Sequence, residues 1–282
     1  MTTTTEGFKP ELLGTWSDPL AFEVTRERAI QYAEATNDTI PDHAEGRLAP
    51  PVFAVVPAFP VLMPTAAAVT PPEVLMTVVH GEQDFRFHRP IEPGMALQTR
   101  AAAVGIRQRS SGVTVVIRAE TTAAGEPVVD QYMTAFFRGA QTDASHGEEA
   151  PEHGFPEELR SADPAAEVAQ TFDADQTYRY AEASGDPMPI HTDEEFARKV
   201  GLPGIIIHGL CTMAFCSRVV VEHACPDDPS RLKRLAVRFA KVVQPEQTIT
   251  TRLYEHGDGT LRFETTADSG DVVIKDGLAE VA

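Results

Sequence analysis

Cysteine is scarce in this chain: 282 residues carry three, Cys211, Cys216 and Cys225, all in one segment. They form no Cys-x-x-Cys pair and have no partner in the rest of the sequence. A disulfide framework and a zinc ribbon are thereby excluded, and reduced packing residues in a cytoplasmic protein are expected. Basic residues are also in short supply, with 24 Lys and Arg against 42 Asp and Glu and a formal charge of -18. Nucleic acid is excluded on that ground, because binding its backbone needs clustered cations that release counterions. Long apolar runs are missing as well. PPVFAVVPAFPVLMP (50–64) and GIIIHGLCTMAFC (204–216) are too short for a membrane span or are broken by proline. MTTTTEGFKPELLGTW at the start is polar, interrupted by Gly7, Pro10 and Gly14, and unlike a secretory leader. What is there is 42% hydrophobic residues, enough for one large domain or two ordinary ones.

The chain repeats itself. YAEATNDTIPDH (32–43) matches YAEASGDPMPIH (180–191), an offset of 148 that sets Asp38 against Asp186 and His43 against His191. DFRFHRPIEPGMALQT (84–99) matches AVRFAKVVQPEQTITT (236–251) at the nearly equal offset of roughly 152. Two collinear matches imply a duplicated fold, with halves at 1–140 and 165–282. The intervening 141–164 is rich in Gly, Pro, Ser and acids and reads as an exposed linker.

Each half begins with a short helix at its Tyr-Ala-Glu motif and ends in strands. TVVIRAETT (114–122), EPVVDQYMTAFFR (126–138), TITTRLYEH (248–256), LRFETTAD (261–268) and DVVIKDGLAEV (271–281) have the β-branched richness and Gly-containing turns of antiparallel hairpins. HGLCTMAFCSRVVVEHA (208–224) predicts one apolar helix lying across such a sheet. Its counterpart in the first half is expected to be degenerate. Pro57, Pro60 and Pro64 recur there, and each interior proline costs a continuous helix about 3 kcal/mol. The expected class is therefore α+β: two antiparallel sheets, each wrapped on a central helix, the first of them irregular.

The segment from Ser184 to Phe215 carries the chemistry. Asp186 and His191 lie on a loop stiffened by Pro187 and Pro189, so a carboxylate and an imidazole can be held toward one point. Such a pair suits water addition, one member taking a proton from water while the other delivers one to carbon. Gly209, at the start of the predicted helix, allows close approach, and its N–H with the helix dipole could hold a developing oxyanion. Taken singly, an Asp that orders a loop, a His that packs and a Gly at a helix entrance account for the same residues. Their combination in one segment favours the catalytic reading.

These residues also resemble a family, the MaoC-like (R)-specific enoyl-CoA hydratases, including the hydratase region of the peroxisomal multifunctional enzyme. YAEASGDPMPIHTDEEFA and GIIIHGL follow its signature, and the likeness continues through RFAKVVQPEQTI to GDVVIKDGLAEV. The first half is similar to the degenerate partner of duplicated members, with APPVFA as the recognisable piece. The resemblance implies a double hotdog fold and a hydro-lyase that reversibly adds water, in the syn sense, to trans-2-enoyl-CoA, giving (3R)-3-hydroxyacyl-CoA. It implies Asp186 and His191 as catalytic pair, Gly209 as oxyanion-hole glycine, and no metal or redox cofactor, coenzyme A being part of the substrate; Met188 and His208, within the same signature, are expected to contact substrate.

Around that centre, Val52, Phe53, Phe59 and Met63 are expected to line a space for a long or bulky acyl chain, or else to fill the core between halves. Arg238 and Lys241, with Arg86 and Arg89 as first-half counterparts, are the cations that could meet coenzyme A phosphates, or else are ordinary surface charge. Asp38 and His43 are not expected to form a second site, since the first copy lacks the Gly and Pro flanking Asp186. A hotdog thioesterase and a non-catalytic acyl-CoA-binding subunit are the competing functions. A monomer of two hotdogs and a homodimer are both compatible with the duplication.

Met188 departs from the family, which usually has Asn there, and its side chain offers no good hydrogen-bond donor. Met188→Asn is expected to raise turnover in a hydration assay; an unchanged or lower rate means that no useful hydrogen bond was lost at this position.

Overall fold

In the computed structural model, which describes residues 7–282, the duplication is visible in the order of the elements. Residues 1–6, on which part of the expectation about the polar N-terminus rests, lie outside the described residues. The first half opens with β1 (Leu20–Glu23) and α1 (Arg26–Ala35), whose N-cap Thr25 accepts the Arg28 N–H at 3.2 Å. A single turn, α2 (Pro41–Ala44), leads to the proline-rich segment and its helix α3 (Phe59–Ala68). Four long strands follow: β2 (Val78–Phe87), β3 (Ala96–Arg109), β4 (Gly112–Ala123) and β5 (Glu126–Arg138). After a two-residue β6 (His146–Gly147), the second half repeats the plan with β7 (Ala166–Thr171), α4 (Gln176–Ser184), α5 (Glu194–Lys199) and α6 (Gly209–Ala224). It closes with β8 (Leu232–Phe239), β9 (Thr248–Glu255), β10 (Thr260–Ala267) and β11 (Val272–Val281).

The two half-sheets join edge to edge into one antiparallel sheet in the order β1-β3-β4-β5-β2-β8-β11-β10-β9-β7, with β6 beside β3. The order reads the same from either end once repeats are matched, so a pseudo-twofold axis passes through the β2–β8 junction. There Asp84 lies opposite Ala236, the residue the internal repeat sets against it, with Glu82 opposite Arg238 and Arg86 opposite Arg234 on either side. Asp84 is buried and accepts from Arg234 through two nitrogens, at 2.8 and 3.1 Å. A second contact lies on the same axis. Tyr32 and Tyr180, matching residues of α1 and α4, meet through their hydroxyls at 3.1 Å, both rings fully enclosed. Burial pushes both phenols up, so both stay neutral and one donates to the other.

The core sits inside the curve of the sheet. Leu210, Met213, Phe215, Cys216, Val219 and Val220 of α6 are buried there, and all three cysteines are buried free thiols, Cys216 Sγ lying 3.2 Å from the Thr265 hydroxyl. Among the described residues no helix is long and apolar enough to cross a membrane.

One expectation is met and one needs correction. The first-half counterpart of α6 is degenerate, a broken path with a shorter helix, although the prolines do not abolish the helix altogether. Pro51–Val55 makes a 3-10 turn, and ten residues of α3 follow. Pro60 sits in the first turn, where its missing N–H has no partner to lose, so only Pro64 interrupts the ladder. The segment between the halves is not simply exposed. His153 and Phe155 are buried: His153 Nδ1 donates to the Asp276 carbonyl at 2.6 Å, and the Phe155 ring meets Tyr254 edge-on at 5.4 Å. One aromatic ring and a few main-chain bonds suffice to anchor a segment whose composition is polar.

Removing one tyrosine hydroxyl strands the other in the core. Tyr32→Phe and Tyr180→Phe should each cost about 1–3 kcal/mol in urea unfolding, while the double variant costs less than the sum. Strict additivity would mean that the two hydroxyls do not depend on each other.

Candidate active site

Helix α4 stops because Gly185 takes the left-handed conformation, with φ 76°, and turns the chain outward at Asp186. The same turn exists in the first half without glycine: Asn37, the matching residue, has φ 51°, a conformation that Asn tolerates better than most side chains. After Asp186, Pro187 and Pro189 hold the chain off a helix until the short turn Pro189–His191 delivers the imidazole. Asp186 Oδ1 accepts the Met188 N–H at 3.1 Å, and the Asp186 N–H is donated to Ser184 Oγ at 3.3 Å. His191 Nδ1 donates to the Ile206 carbonyl at 2.8 Å. A carbonyl can only accept, so the proton is on Nδ1 and Nε2 presents a lone pair.

His208 stands behind His191. Its ring stacks on that of His191 at 3.6 Å between centroids and 20° between planes, and its Nε2 donates to the Asp186 carbonyl at 3.3 Å. Tyr180 covers another side at 4.8 Å, and His208 Nδ1 is buried without a partner. Ligating atoms of Asp186, His191 and His208 lie within 4.8 Å of one another. Stacked rings carry their in-plane lone pairs side by side rather than converging, so the donor set suits proton transfer better than a metal ion.

Burial dominates the electrostatics. It raises the Asp186 carboxyl above the ordinary Asp value, against the pull of His191 and the Met188 N–H, and it lowers the His191 imidazole, against the Ile206 carbonyl and Asp186. An acid and a base thus move toward each other, which eases a proton exchange between them. His208 is pushed down to about 2, first by burial and then by His191, and stays neutral.

The pair opens on a cavity of about 450 Å³ whose walls come from both halves. Phe59 and Met63 of α3 and Val78 and Met133 of the first half face Ile207, Phe239 and Ile274 of the second. Gly209 is the first residue of α6 and lines the cavity; a Cβ there would come within 3.1 Å of the Phe239 ring. Its position puts the N-terminal dipole of a 16-residue helix toward the cavity.

The structure thus brings Asp186, His191, Gly209, Met188, Lys241, Phe59 and Met63 to one cavity. The rest of the expected set is elsewhere. Val52 and Phe53 are fully buried on the 3-10 turn, where Phe53 packs edge-on against Tyr32 at 5.5 Å, so they are core and not lining. His208 is enclosed behind His191 and does not line the cavity. Arg238 is held by Glu82 at 2.6 Å and lies off the cavity. Arg89 donates to the Ala123 carbonyl and Arg86 lies 3.7 Å from Asp84, so both are spent within the fold. Asp38 and His43 form a closed buried pair at 2.7 Å, with Asp38 also accepting the Ile40 N–H. Three polar lining residues went unnoticed in the sequence: Arg138, His80 and Thr212. Arg138 was legible only as the last residue of a strand, and His80 only as the residue that follows two valines.

Comparison with known proteins places these features. Residues 158–276 match the family model of the MaoC like domain, and residues 11–131 match that of the FAS1-like, dehydratase domain region. A probable enoyl-CoA hydratase 2 of Dictyostelium discoideum is 30% identical over 207 residues, covering 72% of this chain and 70% of that one. The full-length peroxisomal multifunctional enzyme type 2 of Drosophila melanogaster superposes with a TM-score of 0.79 at 26% identity, over 94% of this chain and 48% of that chain. This chain therefore spans about half of that enzyme. A Mycobacterium tuberculosis protein with a double hotdog fold superposes with a TM-score of 0.62 at 15% identity, over 95% of this chain and 94% of that one. That last likeness is one of fold.

Two histidines of this region are neutral in the folded protein, His208 at about 2 and His80, which burial pushes down to about 4. Both would protonate near 6.5 when unfolded, so the unfolded state binds more protons and stability falls as pH drops below about 6.5. For His80 the loss runs from there to about 4. His80→Leu should therefore flatten the acid limb of urea stability by up to about 1.4 kcal/mol per pH unit in that window. An unchanged slope would show that His80 is protonated in the folded state.

Proposed function

The chain belongs to the MaoC-like dehydratase/enoyl-CoA hydratase 2 family, and from that premise we propose that it hydrates trans-2-enoyl-CoA reversibly to (3R)-3-hydroxyacyl-CoA. Members of this family are hydratases and dehydratases of acyl thioesters, and this chain has their double hotdog fold. The observation that carries the finer reading is the meeting of Asp186, His191 and Gly209 on the wall of one mostly apolar cavity.

In the hydration direction the His191 Nε2 lone pair takes a proton from water, and the remaining hydroxide bonds to C3 of the enoyl group. The electron pair of the C2–C3 double bond moves toward the thioester, whose oxygen becomes an enolate held by the Gly209 N–H and the dipole of α6. Asp186, whose carboxyl burial keeps protonated more readily than usual, gives its proton to C2 as the enolate collapses. His191 now carries the extra proton and Asp186 has lost one; transfer between them restores the starting state. Dehydration is the same sequence reversed. Because both groups act from one wall, water and proton arrive on the same face of the substrate.

The acyl chain occupies the cavity between the halves, against Phe59, Met63 and Met133. Lys241 and Arg138 line the same cavity, are exposed, and are tied to no carboxylate among the described residues. They are the cations available for coenzyme A phosphates on a chain of net charge -18.

Asp186→Asn and His191→Ala should each slow loss of the enoyl absorbance by about 10²–10⁴-fold with little change in melting temperature. Wild-type rates in both variants would remove these residues from the mechanism, and release of free thiol in place of hydration would assign a thioesterase.

A further inference from the structure

One titratable side chain on the cavity wall has no part in that mechanism. His80 lies on β2 of the first half and borders the cavity among Val78, Val79, Met133 and Ala135, its ring edge-on to Phe239 at 4.8 Å. A polar group in an apolar wall loses hydration, and it persists only if something compensates. Part of the compensation is a buried chain of amides. Gln131 Nε2 donates to the Ala54 carbonyl, Gln83 Nε2 donates to Gln131 Oε1, and His80 Nε2 meets Gln83 Oε1, each at 3.1 Å.

The direction of this chain is fixed at its far end. A backbone carbonyl can only accept, so Gln131 must present its Nε2 to Ala54 and its Oε1 to Gln83; Gln83 in turn must present Oε1 to His80. His80 therefore donates through Nε2. Burial, outweighing the Gln83 side chain and the Glu82 backbone, keeps the ring neutral at working pH, so Nδ1 is an acceptor.

The fold itself does not demand this arrangement. At the repeat offset that matches Asp84 to Ala236, the counterparts of His80 and Gln83 are Leu232 and Leu235, both buried. The second half builds the same strand with hydrocarbon at both places, so the amide chain is an addition peculiar to the wall of the acyl cavity.

We propose that His80 Nδ1 accepts a hydrogen bond from a hydroxyl carried on the acyl group beyond the reacting C3, so that the preferred substrate is a hydroxylated acyl thioester. A donor is required at that point: a ketone oxygen offers none and gains nothing from Nδ1. The inference rests on the reading of the cavity as an acyl-thioester site, and it is tested by binding rather than by turnover.

The probes are saturated acyl thioethers of coenzyme A, which can be neither hydrated nor hydrolysed. One set is unsubstituted, one bears a hydroxyl at successive carbons beyond C3, and one bears a ketone at the same carbons. Calorimetric titration of the wild-type protein should find a hydroxyl position that binds roughly 3- to 10-fold tighter than the unsubstituted chain, with no gain for the ketone there. His80→Phe and His80→Leu, the latter copying the matching residue of the second half, should bind all three sets alike, with folding checked by thermal melting. The proposal is overturned if no hydroxyl position gains affinity, if the ketone gains as much, or if the preference survives in a folded His80 variant. Failure of the hydratase reading would show separately, as thioether binding without any loss of enoyl absorbance on the corresponding enoyl-CoA.

Discussion

The pairing of β2 with β8 turns two half-sheets into one, and the cavity exists because of it. Neither half encloses the cavity alone: α3, β2 and β5 of the first supply one wall, and α6 with the strand ends of the second supply the other. Main-chain bonds between β2 and β8 set the separation of those walls. Two buried polar contacts reinforce it on the pseudo-twofold axis, the Asp84–Arg234 ion pair and the Tyr32–Tyr180 hydroxyls. Such contacts add modest net energy, but breaking either leaves an unpaired buried group, so they penalise any other alignment of the halves.

The two copies of the Asp and His motif diverge at one hydrogen bond. In the first, His43 Nδ1 turns to Asp38 and the pair closes on itself in the core. In the second, the corresponding nitrogen turns to the Ile206 carbonyl, fifteen residues away, which leaves Nε2 and the Asp186 carboxyl facing the cavity. The left-handed turn before the motif is not the cause, since Asn37 and Gly185 share it. What differs is the chain that follows. The stretch containing α5 and residues 200–208 brings a carbonyl and the His208 ring against His191, and the first half has no equivalent of that layer.

His208 is a residue of the signature that is enclosed behind the cavity wall instead of lining it. Its ring forms the floor under His191 and its Nε2 ties down the Asp186 carbonyl. Position in the motif had suggested substrate contact; burial assigns support. The same correction applies to Val52 and Phe53, whose apolar character fits core and tunnel equally, and to Arg238, whose charge is consumed by Glu82 across the β2–β8 junction.

The sequence by itself determined the duplication, the closing strands of each half (β4 and β5, then β9, β10 and β11), the helix α6 within a residue of its start, and the segment that carries Asp186, His191 and Gly209. These are local matters of periodicity, proline and glycine, and a repeat long enough to align. Which atoms face the cavity was decided by tertiary structure alone. The tautomer of His191 follows from a carbonyl fifteen residues on, the fate of Arg238 and Arg138 from which cation lies across from a carboxylate, and the presence of His80 in the cavity wall from a strand of the other half. Residue type sets what a side chain can do; its burial and its partners, brought together from distant parts of the chain, set which of those things remain open to it.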